Sequence, residues 1–328
     1  MVYIVVLNWN GWKDTLSCLD SLIELSYNEY KIVVCDNNSS NDSVKRITDW
    51  YESKKDSHPY LVDADYQYLD LSNLDSFSSQ AKKGFYLIQT GSNLGFAGGN
   101  NVGLRFALNQ NDMSHVWILN NDTIVEPSAL SALTNKVSTD NKIGLCGSRM
   151  VYFHDRDKLQ GIGGQYKPLL ATTRHIAEGE PADTVFDERV IEKELDYVIG
   201  ASMLITRACL EDVGLLSEDY FLYFEEFDYC QRLANRGYRF SIATDSWVYH
   251  KEGGSTESGR SVVSDFYQVR NRLIITKKYF PKYYVIVYFS MFGVLLNRLR
   301  RREFKKAMNI IDIIIKNVKS TGGHSREI

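Results

Sequence analysis

The chain of 328 residues has few cysteines, and none of them stands in a metal-binding spacing. Zinc and redox sites need closely spaced ligands, and small disulfide scaffolds need more cysteine. We therefore predict buried thiols in a protein from a reducing compartment. The five cysteines are Cys18, Cys35, Cys146, Cys209 and Cys230.

The sequence also lacks an excess of basic charge and a long apolar run, and we do not expect its N-terminal stretch to be a secretory leader. A net charge of −3 argues against a nucleic-acid-coating protein, so no nucleic-acid partner is expected. The N-terminal stretch MVYIVVLN has no basic region before its short apolar run, unlike a secretory signal. The run YYVIVYFSMFGVLL at 283–296 is shorter than the roughly 20 residues of a spanning helix. These absences favour a cytoplasmic protein.

What is present is a globular composition, with 44% hydrophobic and 24% charged residues, arranged as short apolar runs that alternate with helical segments. This alternation predicts an α/β fold, with a mainly parallel sheet covered by helices on both faces. Residues 52–83 break the rhythm and are predicted to be a surface excursion, and residues 151–195 look irregular. Predicted strands are 3–7, 30–35, 85–90, 115–119, 197–205, 239–243 and 247–249, and predicted helices are 12–25, 42–51, 102–108 and 225–235.

Polar residues follow three of these strands directly. They form the segments Asn8-Trp9-Asn10, Asp36-Asn37-Asn38 and Asn120-Asn121-Asp122. In a parallel sheet, ligands bind beyond the carboxyl ends of the strands. The carboxylate of Asp36 has the chemistry to accept a hydrogen bond from the imide N–H of uracil or thymine, or from a ribose hydroxyl. An Asx turn that caps the next helix is the simpler structural alternative.

A glycine- and asparagine-rich segment, NLGFAGGNN at 93–101, precedes a predicted helix. It does not match GxGxxG, so a nicotinamide enzyme loses support. Glycines let backbone N–H groups approach a phosphate or a sugar hydroxyl at a helix N-terminus, although a plain tight turn would use the same residues. The candidate binding residues in this segment are Asn93, Gly95, Gly98, Gly99 and Asn100.

Two further residues are candidates for a metal site. Asp122 follows an apolar strand and two amides, and His250 ends a later strand. Mg²⁺ or Mn²⁺ commonly binds one or two carboxylates together with substrate phosphates. A turn at Asp122 and a structural histidine are the alternatives.

Carboxylates cluster in the segment FLYFEEFDYCQR at 221–232. The dipole at the start of a helix explains part of this clustering, and Asp228 with Arg232 forms an i, i+4 pair. A carboxylate among aromatic rings has a raised proton affinity and suits a general base, which makes Glu225 and Glu226 the catalytic candidates.

The basic charge lies late in the chain. Between Arg270 and Lys306 there are eleven basic residues and one acid. Aromatic residues flanked by lysine and arginine predict that residues 279–306 contact an anionic membrane surface, and a buried core helix with a solvated basic end is the alternative. We accordingly divide the chain into a catalytic domain, 1–260, and a helical C-terminal region, 261–328.

Taken in order, the motifs DNNSSNDS, NLGFAGGNNVG, WILNNDT, GASMLITR, FLYFEEFDYCQR and WVYHKEGGS resemble those of family 2 glycosyltransferases of the GT-A fold, over about residues 1–280. The rhamnosyltransferase-like branch, which builds bacterial surface polysaccharides, is the most similar. Two positions depart from the family pattern. The metal motif begins with Asn120 instead of aspartate, and Glu226 stands where many members have aspartate.

The resemblance implies an inverting transfer from a dTDP- or UDP-sugar to a saccharide or lipid-linked saccharide. It makes Asp36 the residue that binds the nucleobase, and Asp122 and His250 the ligands of Mg²⁺ or Mn²⁺. Glu226 would be the catalytic base. The protein would then work at the inner face of the cell membrane. The other residues expected to bind the nucleotide-sugar are Asn8, Asn10, Asn38, Asn93, Gly95, Gly98, Gly99, Asn100, Asn120 and Asn121.

Two other functions use the same residues. A metal-dependent hydrolase built on Asp122 and His250 would release sugar or phosphate without an acceptor. A binding scaffold would keep the nucleotide-sugar site and show no turnover.

Overall fold

The computed structural model describes residues 1–74, 76–251 and 261–316. They form a mixed α/β fold around one large sheet, as predicted. The strands are β1 (Val2–Asn8), β2 (Tyr30–Asp36), β3 (Ala64–Asp70), β4 (Lys83–Gln89), β5 (His115–Asn120), β6 (Thr123–Val125), β7 (Ile143–Tyr152), β8 (Leu159–Gly161), β9 (Gly164–Lys167), β10 (Thr172–His175), β11 (Ser202–Thr206) and β12 (Arg239–His250).

Helices cover both faces of this sheet. They are α1 (Trp12–Ile23), α2 (Ser43–Lys54), α3 (Gly95–Leu108), α4 (Ala129–Ser138), α5 (Glu188–Glu194), α6 (Arg207–Val213), α7 (Glu225–Asn235), α8 (Val262–Tyr279), α9 (Tyr284–Arg300) and α10 (Phe304–Lys316). A 3₁₀ turn at Pro281–Tyr283 separates α8 from α9.

The sheet has the order β3-β4-β2-β1-β5-β11-β7-β12-β6, and β8 pairs with β7 at its side. The first five strands are parallel. Every residue of β2 is buried, and β1 has only one partly exposed residue. Strands covered on both faces are expected to be apolar without alternation, which explains the sequences VYIVVLN and YKIVVCD.

The parallel register aligns the polar strand ends. Asn8 pairs with Asp36, Asp36 pairs with Gln89, and Leu7 pairs with Asn120. Because parallel strands end at one edge of the sheet, four polar side chains from β1, β2, β4 and β5 meet there.

The second half of the sheet brings two distant segments to the same edge. β11 runs antiparallel to β5, and the N–H of Asn120 donates to the carbonyl of Ala201 at 3.0 Å. β12 pairs antiparallel with β6, and His250 lies opposite Thr123 in this pair. Because Thr123 directly follows Asp122, the pairing brings His250 close to Asp122.

Several predicted boundaries were wrong. The segment 52–83 contains β3, which joins the sheet because Tyr66 stacks on Tyr51 and Phe85 and Leu69 enters the core. The 151–195 segment contributes β8, β9, β10 and α5. These elements depend on distant partners, so local periodicity does not reveal them.

Two other segments are more regular than the sequence predicts. The glycine-rich segment from Gly95 onward already belongs to α3. Residues 239–250 form the single strand β12, which is interrupted only by a register shift against β7 between Ala243 and Trp247.

The C-terminal helices pack onto the core of the rest of the chain. Leu273 and Ile275 of α8, Met291 of α9, and Ile310 and Ile313 of α10 all belong to the main hydrophobic cluster. α9 is only partly a core helix, because Val287 and Met291 are its only buried residues. None of the helices in the described ranges combines the length and the apolar character needed to cross a membrane.

Candidate active site

Asp36 is the centre of a buried polar network at the end of β2. Its carboxylate is fully buried and accepts hydrogen bonds from Asn8 Nδ2 (2.6 Å), Ser39 Oγ (2.6 Å), the Ser39 N–H (2.9 Å) and Gln89 Nε2 (3.0 Å). The Asx turn predicted before the next helix is formed by Asn41, whose Oδ1 accepts from the N–H of Ser43 at 3.0 Å at the start of α2. Four donors match the acceptor capacity of a carboxylate, so a bound base would have to exchange with one of them.

Gln89 is the donor best suited to such an exchange, and the sequence analysis missed it. Its Oε1 is buried and has no hydrogen-bond partner among the described residues. A polar residue that ends the strand next to β2 was the available signal.

Asn10 fixes the loop after β1. It has a positive φ of 56°, and its Oδ1 accepts from the N–H of Ser40 at 2.9 Å. Left-handed backbone is tolerated best by glycine and asparagine. The adjacent Trp9 is 49% exposed, and Asn38 is exposed in the neighbouring turn with a φ of 60°. Asn10 and Asn38 are thus brought together with Asp36.

Asn37 joins this turn to the glycine-rich segment. Its Nδ2 donates to Asn93 Oδ1 (3.0 Å) and to the carbonyl of Gly95 (3.1 Å), and its Oδ1 accepts from the N–H of Leu94 (3.0 Å). Gly95 has a φ of +72°, and a Cβ there would lie 2.4 Å from the carbonyl oxygen of Phe221. Only glycine fits this close approach.

The other residues of the glycine-rich motif lie inside the packing of α3. A Cβ on Gly98 would lie 2.7 Å from Leu94 Cβ, and one on Gly99 would lie 2.4 Å from Leu7 Cδ1. Asn100 is 1% exposed and donates to the carbonyl of Phe96. Gly98 and Gly99 therefore allow close packing around α3, and Asn100 is buried within the same packing.

Asp122 and His250 come together at the end of β12, 3.2 Å apart from Oδ1 to Nε2. His250 Nδ1 lies 2.9 Å from Gln160 Oε1, which fixes the ring and leaves Nε2 directed toward Asp122. Burial raises the pKa of Asp122, but the contact with His250 and the charge of Lys251 outweigh it, so the pKa lies below its usual range.

These residues fit a divalent cation. Asp122 Oδ1 and Asn120 Oδ1 are both buried and accept no well-formed hydrogen bond from the described residues. Within the described part of the chain, no three histidine, cysteine or acidic side chains converge. Two protein ligands match an Mg²⁺ or Mn²⁺ ion that completes its shell with water and substrate phosphates.

Asn121 points away from this pair. Its Nδ2 donates to Thr15 Oγ1 at 2.9 Å, and Thr15 in turn donates to Asn8 Oδ1 at 2.8 Å. This chain of bonds links the loop after β5 to the network around Asp36.

Glu225 and Glu226 begin α7 at the end of a loop with unusual backbone. Phe221, Tyr223 and Phe224 all have φ between 62° and 74°. Bulky residues in this region are strained by about 1 to 3 kcal/mol each, so surrounding contacts must hold the loop in place.

Asn271 of α8 supplies part of that support. Its Nδ2 lies within 3.0 Å of the carbonyl oxygens of Tyr220, Leu222 and Tyr223. This buried asparagine was missed in the sequence analysis, because it lies between Arg270 and Arg272 and its contacts come from a distant loop.

Asp228 anchors the other side of the loop. Its buried carboxylate accepts from Tyr220 (2.9 Å), Arg232 (2.8 Å), Lys278 (2.5 Å) and Tyr279 (2.7 Å). The predicted pair with Arg232 is present, and the partners from α8 extend it. Burial raises the pKa of Asp228, but these donors outweigh burial and lower it.

The two glutamates have different environments. Glu225 is 4% exposed and its Oε2 has no hydrogen-bond partner among the described residues. Burial and the charge of Glu226 hold its pKa well above the usual range. Glu226 is half-buried, and burial raises its pKa to about 7. A carboxyl with this pKa can exchange a proton near neutral pH.

Gly200 connects the base candidate to the metal candidates, and sequence reasoning did not single it out. A Cβ placed on Gly200 would lie 3.5 Å from Glu226 Cβ. The next residue, Ala201, accepts the hydrogen bond from Asn120. One short segment before β11 therefore contacts both α7 and the end of β5.

Two known proteins are similar to this chain in sequence. The chain is 22% identical over 228 residues to the low-salt glycan biosynthesis hexosyltransferase Agl10 of Haloferax volcanii, covering 69% of this chain and 72% of the relative. It is 23% identical over 272 residues to the dTDP-rhamnosyl transferase RfbF of Shigella flexneri, covering 77% and 81%.

Solved structures share the fold. GalNAc-T7 with UDP, GalNAc and Mn²⁺ superposes with a TM-score of 0.61 at 14% identity and covers 90% of this chain, which spans half of that protein. The mannosyltransferase PcManGT of Pyrobaculum calidifontis, in complex with GDP-Man and Mn²⁺, has a TM-score of 0.55 at 13% identity, covering 96% and 86%. The architecture is thus the GT-A fold. A family model described as glycosyltransferase like family 2 matches residues 1–270, and the chain belongs to that family.

Proposed function

We propose that this family 2 glycosyltransferase transfers a hexose from a dTDP- or UDP-sugar with inversion, and that Glu226 is the general base. The observation that carries the proposal is the position of Glu226, a carboxyl with a pKa of about 7 that lies against Gly200. The neighbour of Gly200, Ala201, accepts the hydrogen bond from the N–H of Asn120, two residues before the metal candidate Asp122. Glu225 is more deeply buried and is therefore less suited to meet an acceptor.

In the proposed reaction, Glu226 takes the proton of an acceptor hydroxyl. The oxygen attacks the anomeric carbon from the face opposite the nucleoside diphosphate. The bond to the diphosphate oxygen breaks, and the configuration inverts. Asp122 and His250 would hold Mg²⁺ or Mn²⁺, which when bound stabilises negative charge on the leaving diphosphate.

The nucleoside would lie over the network of Asp36, Asn8 and Gln89. Gln89 Oε1 is an acceptor without a partner among the residues that the structure describes, and it suits the imide N–H of a pyrimidine. We favour dTDP because the relative RfbF is named a dTDP-rhamnosyl transferase. A saccharide or a lipid-linked saccharide of cell-surface polysaccharide synthesis is the proposed acceptor.

Thermal unfolding with nucleotides tests the donor and the metal together. Ligands that bind only the native state raise the melting temperature. At roughly 100 times Kd, we expect an increase of about 4 °C with dTDP or UDP in the presence of Mn²⁺ and a smaller effect with GDP or ADP. Asp122→Asn should abolish the increase that Mn²⁺ adds, whereas Asp49→Asn, at an exposed position on α2, should keep it.

Two outcomes would contradict the proposal. If no nucleotide raises the melting temperature, the proposed nucleotide-sugar site is wrong. If the increase does not depend on Mn²⁺, the proposed metal site is wrong. Nucleotide release from the matching sugar donor then separates the enzyme classes. Release that requires an acceptor supports transfer, and release without one supports the hydrolase alternative.

A further inference from the structure

The largest group of exposed apolar side chains lies on α9 and α10. These two helices carry ten of the nineteen exposed large hydrophobic residues in the described ranges. Single exposed apolar residues are ordinary, but a concentration of this kind marks an interaction surface. The ten residues, called here the outer stripes, are Val285, Ile286, Phe289, Phe292, Leu296 and Leu299 of α9 and Phe304, Met308, Ile311 and Ile315 of α10.

The outer stripes are separate from the faces that fold the protein. On α10, Ala307, Ile310 and Ile313 are buried, while Met308 and Ile311 point outward. On α9 five of the exposed residues recur three or four positions apart, the spacing of one helix face, and Ile286 adjoins the first of them; the five are Val285, Phe289, Phe292, Leu296 and Leu299. Both helices are therefore apolar on two sides, and only one side is covered by the described part of the chain.

α9 and α10 pack on each other and are together called here the platform. Tyr288 Oη of α9 donates to the carbonyl of Ile314 of α10 at 3.0 Å. Phe289 and Phe292 stack with ring centroids 6.2 Å apart on the exposed side. The sequence predicts membrane contact only for residues 279–306, so the stripe of α10 extends that surface by a second helix.

Basic residues stand at the turn between the stripes. Arg300, Arg301, Arg302 and Lys305 are all exposed. The nearest acid, Glu303, is already paired with Arg298 and Lys306. This end of the platform therefore presents uncompensated positive charge next to aromatic and aliphatic side chains.

We propose that the outer stripes and the adjoining basic turn dock on the surface of an anionic lipid bilayer. Apolar and aromatic side chains of a surface-bound helix enter the headgroup and acyl boundary, and arginine and lysine bind the anionic headgroups. The positive charge favours lipid over a second copy of the chain, since a copy would bring the same positive charge to the shared surface. The proposal concerns binding alone and does not depend on the transfer reaction.

Vesicle sedimentation with the full chain tests this proposal. Vesicles of phosphatidylcholine alone are compared with vesicles that also contain phosphatidylglycerol. We expect strong binding only with phosphatidylglycerol, weakened by added salt. Phe289→Gln with Leu296→Gln should weaken binding at least about tenfold, and Arg300→Glu with Arg301→Glu should do the same.

Matched controls use exposed residues elsewhere in the described chain. Val62→Gln with Leu169→Gln, and Lys82→Glu with Lys167→Glu, should bind like the parent. Melting temperature and nucleotide-induced stabilisation, measured for every variant, show that the fold and the active site are intact.

Three results would overturn the proposal. One is the absence of vesicle binding by the parent chain, and another is unchanged binding by both stripe and charge variants. The third is a dimer in sedimentation velocity that dissociates in Phe289→Gln with Leu296→Gln while vesicle binding is absent, which would identify a second copy as the occupant.

Discussion

At the scale of single residues, substitutions of the two adjacent glutamates should lower activity by very different amounts. Glu226→Gln should lower the rate of transfer by roughly a hundredfold or more, because it removes the proton acceptor. Glu225→Gln should lower it far less, because Gln preserves the neutral form that a raised pKa favours at this buried position. Steady-state rates of both variants decide between the two residues. Near-normal transfer by Glu226→Gln would exclude it as the base.

The pKa of about 7 at Glu226 also predicts the pH dependence of rate and stability. Transfer by the parent should increase as the pH rises through 7, because the base must be ionised. Stability should change in the opposite direction. A carboxyl whose pKa is higher in the folded than in the unfolded state binds more protons when folded, so stability falls as the pH rises from about 4.5 to about 7.

The free energy of unfolding of Glu226→Gln should therefore depend less on pH than that of the parent. Above pH 7 it should be higher than that of the parent by on the order of 1 to 3 kcal/mol. Chemical denaturation at pH 5 and pH 8 measures this difference. If Glu226→Gln differs from the parent in unfolding free energy by the same amount at pH 5 and at pH 8, the raised pKa of Glu226 is contradicted.

The residues at the strand ends could be predicted because position and chemistry coincide there. Asp36 and Asn120 end buried apolar strands, Asp122 lies two residues beyond Asn120, and a parallel sheet brings such residues to one edge. Asn271 and Gly200 could not be predicted in the same way. Their contacts, with the loop at 220–223 and with Glu226, depend on how distant segments pack.

At the scale of elements, α8 holds the loop that precedes the base. Asn271→Ala removes the side-chain amide that donates to three carbonyl oxygens of the loop at 220–223. This loop has left-handed backbone at Phe221, Tyr223 and Phe224. Without these bonds the strained conformation should relax and Glu226 should lose its fixed position. We expect a fall in kcat of at least about tenfold with a smaller change in KM for the donor, together with a shift in the pH profile of kcat.

Gln110→Ala is the matched control for this prediction. Gln110 is a buried amide whose Nε2 also donates to two backbone carbonyls, those of Phe77 and Phe106, but it lies away from the glutamates. Both substitutions should lower stability by about 1 to 3 kcal/mol. Only Asn271→Ala should change kcat and its pH profile, and equal kinetic effects in the two variants would reduce Asn271 to a stabilising residue.

The elements themselves were predictable where they are buried and local. The sequences of β1, β2 and β5 are short apolar runs bounded by polar residues, and α7 has a clear start and end. β3 was missed because its face alternation is weak and its place in the sheet depends on Tyr66 packing against Tyr51 and Phe85. The long β12 was split in two because its register shift interrupts the apolar pattern.

At the scale of the whole molecule, the question is whether the predicted division at residue 260 separates two folding units. The main hydrophobic cluster includes Leu273 and Ile275 of α8, Met291 of α9 and Ile310 of α10, together with residues of the sheet. Burial of each such side chain contributes about 1.5 to 3 kcal/mol, and a whole domain is stable by only about 5 to 15 kcal/mol. A chain that ends at residue 260 should therefore lose cooperative unfolding.

Comparison of three chain lengths by thermal and denaturant unfolding tests this prediction. The full chain should unfold in one cooperative transition, and a chain that ends at Glu303 should melt earlier because α10 no longer covers the core with Ala307, Ile310 and Ile313. The chain that ends at residue 260 also lacks Asn271, Lys278 and Tyr279, which hold the loop and Asp228, so it should not show nucleotide-dependent stabilisation even where some structure remains. If it instead unfolds cooperatively near the melting temperature of the full chain, residues 1–260 are an independent domain and the C-terminal helices are an appendage to it.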